Sequence, residues 1–160
     1  MKGWLVDTNV IAELASPKGD ARVKDWAAAQ EEATLFISVL ALAEYDKGLE
    51  NLDPGDTRRA PVAALRDGIA ARFAGRILGI ADSAARRWGC ISGRVKRETG
   101  HAPSVIDTML AATALEYGLY LATRNVKDVA RSGAMAFNPW TDEASRFAVV
   151  PGRFGIAAGR

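Results

Sequence analysis

Trp4-Leu5-Val6-Asp7-Thr8-Asn9-Val10-Ile11 decides how the rest of this chain is read. Three apolar residues run into an aspartate, a polar turn follows, and apolar residues resume. That order predicts a short buried strand over Trp4-Leu5-Val6, a turn over Asp7-Thr8-Asn9, and a short helix over 10–15 ended by Ser16-Pro17. A carboxylate at the mouth of a buried strand is costly unless something positive sits beside it. The juxtaposition recurs: residues 35–42 run toward Glu44, Val105-Ile106 meets Asp107, and residues 119–122 precede Asn125 and Asp128. Converging carboxylates repel one another unless a cation holds them, and a set of hard oxygens suits Mg²⁺ or Mn²⁺.

Working outward, residues 22–30 read as a helix with Val23 and Trp26 on one face, and Leu35-Phe36-Ile37 as a second buried strand. Ser38 is placed to cap a helix running to about Asn51, and Asp53-Pro54-Gly55-Asp56 marks a turn. Residues 57–73 are helical in pattern, with Val62, Leu65, Ile69 and Phe73 on one side. A brief extended stretch over 76–80 precedes a helix over 82–98 whose inner face is read as Ala85, Trp88, Ile91 and Val95. Ser104 caps a further helix stopped by Gly118; strands over 119–122 and 135–137 flank a helical turn over 125–131. Strands alternating with helices imply parallel pairing and a layered α/β fold, whose ligand crevice lies outside the carboxyl ends of the strands.

At 160 residues and 17.1 kDa the chain fits one domain, expected over 1–142, with a partly disordered tail over 143–160 that is loosest from Gly152. No apolar window approaches the roughly 18 residues of a membrane helix, and Asp7 and Glu13 interrupt any signal-peptide core. Cys90 is the single cysteine, so an internal disulfide is excluded and a reducing cytoplasm is expected; beside Trp88 it reads as a small core residue. His101, the single histidine, reads as a surface residue; its isolation excludes both a histidine pair for phosphodiester cleavage and a zinc site of Cys/His type. Residues 1–57 carry 5 basic against 11 acidic side chains, and residues 58–97 carry 10 against 2. An arginine-rich middle beside an acidic first third suggests a polyanion-binding surface next to an acidic pocket. Solvated helix faces that pair across segments account for the same charges.

Each acid also has a structural explanation. Ser104 and Asp107 match a capping box, and Asn125 and Asp128 share that spacing. Asp7 can close a turn, Asn9 can cap the helix after it, and Glu44 can pair with Lys47 or Lys24. Against these stands the setting. Asp107 opens an almost wholly apolar run, Thr108-Met109-Leu110-Ala111-Ala112-Thr113-Ala114-Leu115, and Glu44 follows Leu40-Ala41-Leu42-Ala43. Buried acids with few basic neighbours point to a divalent-metal site.

These residues carry a resemblance. Leu5-Val6-Asp7-Thr8-Asn9-Val10-Ile11, Ile37-Ser38-Val39-Leu40-Ala41-Leu42-Ala43-Glu44 with Lys47-Gly48, Pro103 to Asp107 with Ala111-Ala112-Thr113-Ala114, Ala122-Thr123-Arg124-Asn125-Val126-Lys127-Asp128, and Asn138-Pro139-Trp140 together resemble the PIN domain of VapC-type toxins. The resemblance implies a three-layer α/β/α PIN-like fold with a central, mostly parallel sheet. It further implies a Mg²⁺-dependent ribonuclease, usually a homodimer, silenced by a VapB-type antitoxin. Asp7 and Asp107 match the family's metal-binding aspartates, Glu44 its third acid, and Asn125 its fourth site position, with Asp128 one turn on. Asp46 stands where relatives often carry a basic residue, and Val129 where an aromatic is commoner. The expected reaction is hydrolysis of an RNA phosphodiester by metal-activated water. Asp7 and Asp107 hold the ion, Glu44 orients the water or a second ion, Asn125 bonds the phosphate or a metal water, and Thr8 and Ser38 donate to the carboxylates. The alternative is a non-catalytic RNA- or protein-binding module on the same fold. A small-molecule phosphatase is disfavoured, since there is no Gly-rich phosphate cradle and Asp7 has no second aspartate two residues on.

Overall fold

The computed structural model describes residues 1–152. At its centre, among the described residues, lie five strands: β1 (Trp4–Val6), β2 (Leu35–Ser38), β3 (Ile77–Leu78), β4 (Tyr120–Ala122) and β5 (Ala136–Phe137), ordered β3-β2-β1-β4-β5. Every pairing is parallel, so all carboxyl ends share one edge of the sheet. Strand β1 is central: Val6 stands between Ile37 of β2 and Ala122 of β4.

Helices α1 (Thr8–Ala15), α2 (Ala21–Ala28), α3 (Val39–Glu50), α4 (Arg59–Arg72), α5 (Asp82–Thr99), α6 (Val105–Tyr117) and α7 (Val126–Val129) cover the sheet. Successive strand side chains point to opposite faces. Trp4 and Val6 therefore join Val10 and Ile11 of α1, Val23 and Trp26 of α2 and Ile69 of α4 in one cluster. Leu5 and Leu121 join Leu110, Ala111 and Ala114 of α6 and Val129 of α7 in another. The result is the expected three-layer α/β/α arrangement. Helix α5 lies outside α6, with Ile91 and Val95 against Ala112. Sheet on one side and α5 on the other explain why α6 is apolar almost all round. Gly118 ends α6 at φ 66, in the left-handed region that glycine enters without strain.

Three local expectations are corrected. Cys90 is exposed, because Ala84, Ile91 and Val95 form the buried face of α5 and its side chain points about 100° away from Ile91. Helix α4 buries Ile69 but leaves Leu65 exposed. Residues 143–150 are no tail. The Phe147 ring stands 4.9 Å from that of Phe137 and 5.1 Å from that of Tyr120, and Val149 packs beside it. The backbone is anchored near residue 150: the Tyr120 hydroxyl donates to the Ala148 carbonyl at 3.1 Å, and the Val150 N–H to the Met1 carbonyl at 2.9 Å. Two apolar side chains finish the aromatic cluster and hold the segment down. Residues 153–160, the remainder of the expected loose stretch, lie outside the described residues. No helix among the described residues is long and apolar enough to cross a membrane.

Candidate active site

Asp7 follows the last residue of β1 and is the N-cap of α1, so the helix begins at Thr8, earlier than its apolar pattern suggests. Asn9, a candidate cap in the sequence, instead sits in the first turn and turns its amide back to Asp7. The Asp7 carboxylate is buried, with 5% exposure, and is held by three neutral donors. The Thr8 N–H donates to Oδ1 at 2.6 Å; the Asn9 amide and the Thr123 hydroxyl each donate to Oδ2 at 2.6 Å. Thr123, directly after β4, also accepts the Asn125 N–H at 3.0 Å, which ties the mouths of β1 and β4 together.

The other acids arrive from two helices. Ser38 ends β2 and caps α3, its hydroxyl accepting the Leu40 N–H at 3.2 Å. Two turns on, Glu44 is half-buried and accepts a short hydrogen bond from the Thr8 hydroxyl. Ser104 caps α6 and accepts the Asp107 N–H at 3.4 Å, so the capping half of the expected box exists; the Asp107 carboxylate instead accepts the Asn125 amide at 3.3 Å. Asp7, Glu44, Asp107 and Asn125 line one cleft of about 450 Å³, together with Thr8, Asn9, Ala12, Ser104 and Ile106.

Among the described residues no lysine or arginine forms an ion pair with Asp7, Glu44 or Asp107. Lys24 donates to the Pro17 carbonyl, Arg124 pairs with Glu13 at 2.9 Å while its guanidinium stacks 4.1 Å above the Trp140 ring, and Lys47, one helical turn from Glu44, makes no ion pair with it. Burial therefore pushes the Asp7 carboxyl above its ordinary range; hydrogen bonds from Thr123 and Thr8 pull it back, and the charges of Asp107 and Glu44 push it up again. Hard oxygens, mutual repulsion and no neutralising base are what a divalent cation would answer. No group of three His, Cys, Asp or Glu able to hold a metal by itself is gathered among the described residues. Mg²⁺ requires no such cage, since it keeps several waters and is bound by one or two carboxylates plus phosphate oxygens. The donor set fits the ion on those terms.

The remaining expectations divide. Thr8 reaches two acids, as predicted. Ser38 does not: its bond goes to the backbone of its own helix. Asp128 lies exposed on α7, outside the residues lining the cleft, whereas Asn125 lines it. Asn125 makes no side-chain cap to α7. Asp46 pairs with Arg66 of α4 and lines a separate depression between α3 and α4, so it is not part of the acid cleft. The basic middle is largely cross-paired: Arg58, Arg59, Arg66, Arg72, Arg76, Arg86 and Arg87 each meet an acid, and Arg94 bonds the Arg131 and Ser132 carbonyls. Two contributors went unread in the sequence, Thr123 and the Asn9 amide. Their signal is faint, a single polar residue placed directly after a strand.

Comparison with known proteins agrees with this arrangement. Residues 4–131 match the family described as PIN domain. The chain is 32% identical over 136 residues to the VapC ribonuclease Y4jK of Sinorhizobium fredii, covering 85% of this chain and 96% of that protein. It is 31% identical over 138 residues to the toxin FitB of Neisseria gonorrhoeae, covering 86% and 99% respectively. The crystal structure of FitAcB from Neisseria gonorrhoeae superposes with a TM-score of 0.74 at 30% identity, over 86% of this chain and 98% of that one. With four-fifths of its length matched and the parallel sheet in place, the chain belongs to the PIN-domain family, among the toxins of VapC type.

Proposed function

We propose that this chain is the toxin of a type II toxin–antitoxin pair, a Mg²⁺-dependent endoribonuclease that hydrolyses RNA phosphodiester bonds with water. The observation that carries the reading is Asp7, a buried carboxylate with no cationic partner among the described residues, sharing a cleft with Glu44 and Asp107. Asp7 and Asp107, with Glu44 alongside, would hold the ion; Mn²⁺ suits the same oxygens. Bound there, it supplies charge neutralisation at the phosphate and activation of water.

The chain's own groups do the rest. Thr8, Asn9 and Thr123 fix the Asp7 carboxylate against rotation. The Thr8 hydroxyl holds Glu44 where a carboxylate can orient the attacking water. The Asn125 amide donates to Asp107 and, being neutral, does not repel an incoming phosphate. A partner that placed an arginine or lysine among these acids would neutralise them and block the cleft. Its expected source is a VapB-type antitoxin, since FitAcB and other solved relatives are toxin–antitoxin complexes. A homodimer and a cytoplasmic location go with that reading.

Asp7→Asn and Asp107→Asn are each expected to reduce Mg²⁺-dependent cleavage of single-stranded RNA by about a hundredfold or more, with EDTA abolishing wild-type cleavage. Full activity in either variant, or in EDTA, refutes the assignment. The absence of a closed three-acid cage among the described residues favours one second reading, a binding module that does not cut. It predicts RNA binding indifferent to both metal and the acids, which the same titrations would reveal.

A further inference from the structure

Arg124 stands between two site residues: Thr123, whose hydroxyl holds Asp7, and Asn125, which lines the acid cleft. Its backbone N–H donates to the Asn9 side-chain carbonyl at 3.3 Å, so the residue starts at the cleft wall. The side chain ends about 6 Å further along α1, one turn past Asn9, where the guanidinium pairs with Glu13 at 2.9 Å. Two neighbours fix it there. Glu13 is itself held, its second oxygen accepting the Asp20 N–H at 2.8 Å. The Trp140 ring lies against one face of the guanidinium, 4.1 Å from its carbon, and the Trp140 backbone N–H is tied to the Asn138 side chain at 3.0 Å. With one face on Trp140 and one edge on Glu13, 53% of the Arg124 side chain is still exposed. What stays open is the outer face of a flat, pre-oriented group at the rim of the cleft.

Resting on the ribonuclease reading above, we infer that this outer face is a stacking platform for a nucleobase of single-stranded RNA, next to the scissile phosphate. Unstacked bases settle on guanidinium planes as they do on aromatic rings, and every base has a π-face to offer. Trp140 backs the plane and Glu13 holds its edge, so binding has little ordering left to impose. Charge selects the base over the backbone. Glu13 already neutralises Arg124, and a phosphate brought to that edge would meet the Glu13 carboxylate, whereas a neutral base over the face is not repelled. The same carboxylate disfavours an acidic peptide from a protein partner.

The test uses the full chain carrying Asp107→Asn to suppress turnover, with anisotropy of two labelled strands. One is a short single-stranded RNA of mixed sequence; the other is the same strand made wholly abasic, which keeps the phosphates and loses the bases. Melting temperature is read on the same samples. Arg124→Lys keeps the charge and the reach to Glu13 but removes the plane. It should raise Kd for the intact strand about tenfold and leave Kd for the abasic strand unchanged. The slope of log affinity against log salt should also stay as it was, since no phosphate contact is lost. A single abasic position moved along the intact strand then locates the base. One position beside the bond that wild-type protein cleaves should cost about tenfold with Arg124 present and nothing further in the lysine variant. Equal losses on intact and abasic strands overturn the platform and make Arg124 a phosphate contact. Unchanged Kd in the lysine variant overturns it too, as does no binding of the intact strand by the background protein. If lysine lowers the melting temperature, the moving abasic position in the background protein decides: loss at one position sustains the platform, and indifference at every position overturns it. Failure of the ribonuclease reading shows separately, as no cleavage by wild-type protein in Mg²⁺, and the comparison of intact with abasic strands still decides the platform.

Discussion

Asp7 is held above its ordinary value of 3.8 chiefly by burial, and the sign of that shift sets two expectations. The native state binds the Asp7 proton more tightly than the unfolded chain does. The contribution of this group to stability is therefore full below about pH 4 and is lost as pH rises through the raised folded value. At neutral pH the charge is a liability. In EDTA, Asp7→Asn should melt above wild type at pH 7, with the gap closing as the pH falls toward 4; calorimetry across that range checks it. A variant that melts lower by one margin at every pH would mean that the donors around Asp7, not its charge, dominate. Thr123 acts in the opposite direction, since its hydrogen bond lowers the Asp7 value. Thr123→Val should cut RNA cleavage about tenfold to a hundredfold and move the acid limb of the pH–rate profile to higher pH. A purely structural role for Thr123 would leave that limb in place.

Ser38 shows what an element asks of a single side chain. Its hydroxyl caps α3 and thereby sets the axis that delivers Glu44 to the cleft. Ser38→Ala should cost about 1 kcal/mol and lower the melting temperature by about 2–4 °C, with cleavage changing only through the placement of Glu44; thermal melts beside initial rates check both. Elements of this kind were readable because each carries its own punctuation: Ser38 and Ser104 before helices, Gly118 after one, and β-branched or aromatic runs for the buried strands. The site was readable in outline for the same reason, since its acids stand at those boundaries. Three-dimensional pairing was not. Whether Ser38 meets a carboxylate or its own helix, and which side of α5 Cys90 takes, depend on neighbours distant in the chain. The 10 basic residues of 58–97 looked like one patch but are mostly shared out among acids from other segments.

Across the whole molecule, the segment after Trp140 matters more than its composition suggests. The Phe147 ring sits 5.8 Å from that of Trp4, so residues from the two ends of the described chain complete one aromatic cluster. Phe147→Ala should cost about 3 kcal/mol, a fall of roughly 6–12 °C in melting temperature, although residue 147 lies outside the cleft lining. Denaturant titration checks the size, and an effect under about 1 kcal/mol would show that the segment merely rests on the surface. The central place of β1 has a further consequence for synthesis. Strand β1 cannot gain its β4 neighbour until residue 122 has been made, and the Asn125 wall of the cleft is later still. A chain made only as far as residue 106 therefore holds Asp7 and Glu44 without the Asp107 and Asn125 wall, so the acids of this cleft come together only late in synthesis.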